Sequence, residues 1–198
     1  MELMQIVRFL FEMGQLRRIK HEGWKLAGIE SPESVAEHTL RAAQIAYILA
    51  KMENYPQPEK VCAMVVFHEL AEARTGDVHR VARRYVVRDE EKAVKEQLGR
   101  LGNLGEDIFR FWKEFEARNT KAAQIAKDAD RLEQAVTARE YIAQGFSSAV
   151  DWINNIRPRL YTESARKLLR LIEKANPTDW WQGLKKLDDI NQTESLTP

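Results

Sequence analysis

Apolar residues recur at helical spacing through nearly the whole chain, and no stretch shows the two-residue alternation of a half-buried strand. Ile6, Val7, Leu10 and Phe11 mark the apolar side of a first helix over Leu3–Met13, which Gly14 interrupts. An irregular stretch to about Glu33 follows. Ser34-Val-Ala-Glu37 then has the form of a capping box, with serine as N-cap and glutamate reaching back to its amide. The helix it opens runs through Leu40, Ala43, Ile45, Ala46 and Leu49 and stops before Asn54-Tyr-Pro-Gln-Pro58. Pro58 and Glu59 suit the first turn of a third helix carrying Val61, Val65, His68 and Glu72.

Asp89 to Leu101 reads as an exposed helix and Gly102-Asn-Leu-Gly105 as a turn. In Glu106 to Arg118, Phe109, Trp112 and Phe115 stand three apart, as a core face requires. Thr120 to Gln144 is the longest helical pattern, and Gly145, Asn154-Asn155 and Pro158 mark a broken region after it. Thr162 to Lys174 returns as a helix closed by Asn176-Pro177. Trp180 and Trp181 open a last short helix, and Asn191 to Pro198 is expected to fray. The pattern predicts an all-α, single-domain bundle with a site between its helices.

Composition narrows the classes. A chain of 198 residues with 44% hydrophobic and 31% charged content fits one ordinary globular domain. Its net charge of +1 does not favour a nucleic-acid polymer as partner. The lone Cys62 excludes an internal disulfide framework, and its neighbours Val61, Ala63 and Met64 predict a buried thiol. No apolar run reaches the roughly 20 residues a bilayer span needs. Met1 to Phe11 carries Glu2 and Arg8 and lacks a signal-cleavage pattern, so a cytoplasmic protein is expected.

The chemistry concentrates in Val65-Val-Phe-His-Glu-Leu-Ala-Glu-Ala-Arg-Thr-Gly-Asp77. On a helix, His68 and Glu72 lie on one face, and Glu69 on the adjacent flank can still reach a shared ion. Gly76 allows a sharp exit, and Asp77 follows. His38 falls in the first turns of the capped helix. Ile125-Ala-Lys-Asp-Ala-Asp-Arg-Leu-Glu133 brings a carboxylate on a third helical pattern, although periodicity does not choose between Asp128 and Asp130. Two imidazoles with two carboxylates suit one divalent ion of zinc, manganese, cobalt or iron better than calcium or magnesium. A zinc-protease helix would need a second histidine where Glu72 stands. Trp24, between Gly23 and Lys25, reads as a loop residue. Arg80, Arg83, Arg84 and Arg88 run into Asp89, Glu90 and Glu91, which reads as a solvated or interface face.

The order His38, His68-Glu69, Asp130 resembles the HD-domain metal-dependent phosphohydrolases. Gly23-Trp24, Glu33-Ser-Val-Ala-Glu-His38, His68-Glu-Leu-Ala-Glu72, Thr75-Gly-Asp77 and Ala129-Asp130 resemble the 5′-deoxynucleotidase branch in particular. The resemblance spans about residues 16–144, with a helical extension from 145 to about 190. It implies His38, His68, Glu69 and Asp130 as metal ligands and Glu72 as the acid–base carboxylate. Asp77 would stand beside the reacting phosphate or sugar, and Trp24 would pack on the sugar and favour deoxyribose. A deoxyribonucleoside 5′-monophosphate substrate and a homodimer follow from the same resemblance. Two positions depart from the family pattern: Glu69 stands where aspartate is usual, and His21 where an arginine commonly binds phosphate. Arg18, Arg83 and Arg84 are the alternative phosphate holders. The same centre would also suit a triphosphate or cyclic nucleotide, and a non-catalytic nucleotide-binding module would carry the two departures.

Overall fold

Ser34 caps its helix as its sequence signals in the computed structural model, which describes residues 3–185. The Ser34 amide donates to the Glu37 carboxylate at 2.6 Å, and the Glu37 amide returns a hydrogen bond to the serine hydroxyl at 3.3 Å. Thr120 and Thr162 do the same for the amides of Ala123 and Ala165. Each hydroxyl satisfies a donor that a helix start leaves orphaned. The long helices are α1 (Leu3–Met13), α2 (Val35–Met52), α3 (Pro58–Val66), α4 (Glu72–Thr75), α5 (Glu90–Leu98), α6 (Asn103–Ala117) and α7 (Lys121–Ala143). They are followed by α8 (Val150–Ile156), α9 (Glu163–Ile172) and the short α10 (Asp179–Gln182). Among the described residues, β structure is confined to one isolated bridge between Lys20 and Ser34.

Helix α7 is the axis of the bundle, packed by α2, α3, α6, α8 and α9. Its buried face is rich in alanine (122, 123, 126, 129, 135 and 138), as is that of α2 (42, 43, 46 and 50). Small side chains on both faces let the helix axes approach closely. Trp24, Leu49, Met64, Phe115, Ile125, Leu132, Ile153 and Leu169 fill the main core around them. A second cluster, built on Phe9, Leu70, Val94, Leu98, Leu101, Ile108 and Trp112, fastens α1, α5 and α6 beside the site. The segment after Gly145 belongs to the main core through Ile153, Ile156, Leu160 and Leu169.

Four expectations from the sequence need correction. The Gly102–Gly105 turn is instead the start of α6, where an added Cβ on Gly105 would lie 2.2 Å from the Leu98 carbonyl oxygen. That glycine serves a close helix approach, and the turning is done by Gly102 at φ 55°. Asn154-Asn155 lies within α8 and does not interrupt it. Cys62 is only partly buried, at the edge of the main core. The third helix does not run on to Glu72. It ends at Val66, and residues 67–71 form tight turns before α4. There the amides of His68, Leu70 and Glu72 reach back three residues to Val65, Phe67 and Glu69. The Leu70 carbonyl is also taken by the Gln97 side chain of α5 at 2.9 Å. The segment expected to fray, Asn191 to Pro198, lies outside the described residues.

Candidate metal centre and cleft

The broken end of α3 brings two consecutive side chains to one point. On a regular helix His68 and Glu69 would be about 100° apart. In the turn, both offer ligand atoms to a group completed by His38 of α2 and Asp130 of α7, with all four atoms within 4.8 Å of one another. The longer Glu69 side chain therefore reaches the position expected of it. Asp130 Oδ1 stands 3.2 Å from His38 Nε2 and 3.8 Å from His68 Nε2, and His68 Nε2 is 3.2 Å from Glu69 Oε1.

Each histidine is held through its other nitrogen. His68 Nδ1 donates to the Val65 carbonyl at 2.6 Å, and His38 Nδ1 is hydrogen-bonded to Glu133. Both Nε2 atoms are buried without a hydrogen-bond partner. An orphaned ring nitrogen whose opposite nitrogen is anchored is the arrangement of a metal-ligating histidine. The four residues fit a divalent ion on that ground.

The electrostatics agree. Burial would lower the His38 pKa, but Glu133 and Asp130 raise it well above the usual histidine value. Burial opposes His68 in the same way, and Glu69 and Asp130 lift it to about 9. Burial works against the Asp130 charge, yet Lys127 and the two imidazoles hold it well below the usual carboxylate range. Lys127 Nζ stands 2.7 Å from Asp130, and Gln134 Nε2 donates to it at 3.0 Å. The cluster attracts positive charge.

Glu72, one turn beyond Glu69, is buried and lies outside the four-atom group. Burial, then Glu69 and Asp77, push its pKa up to about 10, opposed by Arg88 at 3.4 Å. Asp77 accepts the Glu22 amide at 2.7 Å, which ties the 310 segment Glu22–Ala27 to the Thr75-Gly-Asp77 exit. Gly76, at φ 70°, makes that exit.

The centre opens on a cleft of about 500 Å3 whose walls include Asp77, Asp130, His21, Trp24 and Trp152. Arg80, Arg83, Arg118, Lys127, Arg131 and Arg159 line the same cleft. Arg18 is not among the lining residues; it is exposed and donates to Gln15 at 3.3 Å. Trp24 is not a loop residue in solvent. It is 1% exposed, stacked on Trp152 and bonded through its indole nitrogen to Glu33. The Arg80–Arg88 run is solvated at Arg80, Arg83 and Arg84, as expected, with Arg80 and Arg83 also lining the cleft, and only the Arg88 side chain, 8% exposed, is withdrawn against Glu72. His79 is half-buried in the cleft wall.

The choice between Asp128 and Asp130 is resolved by their partners. Asp128 accepts from the amides of Tyr161 and Thr162 and pins α9, while Asp130 faces the histidines. Residues the sequence did not single out are Glu133, Arg41 and Trp152, and Arg88 was placed only on a solvated or interface face. Glu133, buried three residues after Asp130, carries a weak signal, because a charge there continues the face of a ligand. Arg41, three residues after His38, answers it at 3.0 Å.

A helical bundle in which three elements converge two imidazoles and two carboxylates on the floor of an open cleft is an all-α metal-site protein. The chain belongs to the HD-domain family, whose profile matches residues 13–169. It is 30% identical over 141 residues to the 5′-deoxynucleotidase HDDC2 of Bos taurus, covering 69% of this chain and 67% of that protein. It is 32% identical over 149 residues to the 5′-deoxynucleotidase hdd1 of Schizosaccharomyces pombe, covering 70% and 73%. A solved protein of Pyrococcus furiosus superposes with a TM-score of 0.72 at 25% identity, covering 85% of this chain and 99% of that one.

Proposed function

We infer that this chain is a metal-dependent phosphohydrolase that releases phosphate from deoxyribonucleoside 5′-monophosphates. The observation that carries the reading is the pair of buried, partnerless Nε2 atoms beside Asp130 and Glu69 at the floor of the cleft. Relatives named 5′-deoxynucleotidase, matched along two thirds of the chain, support the substrate class. His38, His68, Glu69 and Asp130 hold the ion, and the donor set suits zinc, cobalt, manganese or iron(II). When bound, a divalent ion there supplies a Lewis acid for a phosphoryl oxygen and makes water a better nucleophile near neutral pH.

The chain's own groups do the rest. Glu72, held protonated by burial and by the charges of Glu69 and Asp77, gives its proton to the leaving 5′-oxygen and recovers one from the attacking water. Lys127 and Arg83, which both line the cleft, bind the phosphate, a role that Arg18, outside that lining, does not share. Asp77 shapes the sugar end by fixing the 310 segment Glu22–Ala27, in which the buried Trp24 acts only as support. Exposed Leu3, Leu10 and Phe11 on α1 support a homodimer, and the lone cysteine fits a reducing cytoplasm. No described helix is long and apolar enough to cross a membrane.

The test is phosphate release from matched dAMP and AMP by metal-free protein given cobalt, manganese, zinc or magnesium separately. Metal-dependent release that strongly favours dAMP upholds the reading. Equal release from both removes the deoxyribose preference, and no release with any metal removes the activity. Six cationic residues against Asp77, Asp130 and Asp151 in the lining favour one second reading, a substrate with more phosphate. Pyrophosphate or triphosphate as the product of a nucleoside triphosphate identifies that case.

A further inference from the structure

Trp24 lines the cleft but has no face to offer a ligand, because it is 1% exposed. Tyr141 meets it edge-on at 5.2 Å, its indole nitrogen is spent on Glu33, and Trp152 covers it at 4.7 Å with the rings 23° apart. Trp152 itself is only half-buried, and it lines the cleft that contains Asp130 and Asp77. Its position is fixed from beneath. A Cβ placed on Gly23 would be in ordinary van der Waals contact with Trp152 Cζ2 at 3.7 Å, so the backbone there runs beside the indole edge. Ile153 and Ile156 seat the same helix, α8, in the main core. An aromatic ring supported on one side and open to a cleft on the other is a stacking surface whose orientation costs no further ordering when a flat ligand arrives.

We propose that Trp152 is the platform on which the nucleobase of the substrate stacks, with Trp24 as the positioning residue that holds it. The proposal rests on the reading of the chain as a deoxynucleotidase. It divides the cleft into a phosphate end at Asp130 and Lys127 and a base end at α8. Every base has a flat face, so one such platform accepts all of them and contributes affinity for nucleotides over base-free sugar phosphates.

The comparison of dAMP with 2-deoxyribose 5-phosphate isolates the base. In metal-loaded enzyme, Trp152→Ala lowers the ratio of kcat/KM for dAMP over 2-deoxyribose 5-phosphate by about tenfold, mainly through KM, the loss typical of one base–aromatic stack. Trp152→Phe restores most of that ratio. An unchanged ratio overturns the proposal, whether both activities hold or both fall together, since the latter means that Trp152 acts only by supporting Trp24. A second readout does not need turnover. Deoxyadenosine titrated into wild-type protein shifts the Trp152 indole N–H resonance, identified by its loss in Trp152→Phe, and an unmoved resonance at saturation overturns the proposal. Absence of phosphate release from every deoxynucleotide would remove the proposed function, and the titration would still decide the platform.

Discussion

The two walls of the cleft are built by opposite means. On the metal wall three of the four ligands have a second partner: His38 has Glu133, His68 has the Val65 carbonyl, and Asp130 has Lys127 and Gln134. Those partners sit in or beside the alanine-lined core between α2 and α7. On the facing wall, residues 77–88 bond mainly to themselves. Arg84, Tyr85 and Val86 donate to carbonyls three or four residues back, and Tyr85 and Val87 are exposed at 81% and 97%. Arg88, through the Gly76 carbonyl at 2.6 Å and Glu72, and Asp77, through the Glu22 amide, are its anchors. The difference separates two demands on one site. Ion position tolerates little error and is set by buried, doubly bonded groups. A wall that contacts substrate can afford local, solvent-exposed backbone bonds of low stability.

The largest effect belongs to the rigid wall. Asp130→Asn should abolish metal binding and turnover together, because it removes a charge shared by both imidazoles and leaves Lys127 without its partner. Metal stoichiometry by elemental analysis checks it, and a variant that still holds one ion would break the assignment. Glu72→Gln should lower kcat by about 100- to 10,000-fold, the usual contribution of a positioned general acid or base. The ion should stay bound in that variant, which separates proton transfer from ligation. Glu133→Gln should weaken metal affinity by about 10- to 100-fold, as loss of a ligand's supporting partner commonly does. Competition with a chelator reads that change, and unaltered affinity would show that His38 does not depend on Glu133.

These partners explain how much of the site could be read from the chain. His38, His68 and Glu69 stood out because metal-capable side chains are conspicuous in apolar helical patterns, whereas only the family resemblance favoured Asp130 over Asp128. The turn that joins His68 and Glu69 did not stand out, since Phe67, Leu70 and Ala71 continue the apolar pattern past the true end of α3. What stabilises the break is partly Gln97, on another helix. Arg88 reads as a solvated charge and Glu133 carries only a weak sequence signal for the same reason: their partners are distant in sequence. Trp24 looked like a loop residue because Tyr141 and Trp152, which cover it, come from beyond residue 140. The helices, by contrast, were mostly legible, because Ser34, Thr120 and Thr162 cap them with local hydrogen bonds.

Protonation gives a smaller and opposite-looking signature on the metal-free protein. His68 has a folded pKa of about 9 against an ordinary 6.5, so its stabilising contribution is complete below 6.5 and is lost as pH rises through 9. His38, raised in the same direction by Glu133 and Asp130, adds to that loss. Glu72, an acid raised from 4.5 to about 10 by burial and by Glu69 and Asp77, also resists giving up its proton in the fold, so rising pH destabilises it too. The Tm of metal-free protein should therefore fall between pH 6.5 and 9. Metal-loaded protein should lose less, because its ligands bind the ion in their deprotonated forms. Parallel melting curves for the two forms would remove the electrostatic account of the metal wall.

The smallest effect concerns the residue whose sequence position promised more than its place in the fold supports. Arg18 lies near the Gly-Trp element in the chain, and the resemblance made it a candidate for the phosphate. It projects from the 310 turn that follows α1, exposed, with Gln15 as its hydrogen-bond partner. Arg18→Ala should change kcat/KM for dAMP by less than about threefold, the range of a surface substitution within ±0.5 kcal/mol. Arg83→Ala, on the facing wall and 3.9 Å from Asp77, should raise KM by more than that. If Arg18→Ala proved the more damaging of the two, residues 14–18 would have to close over the cleft during turnover, and the substrate-contacting wall would include the turn after α1 as well as residues 77–88.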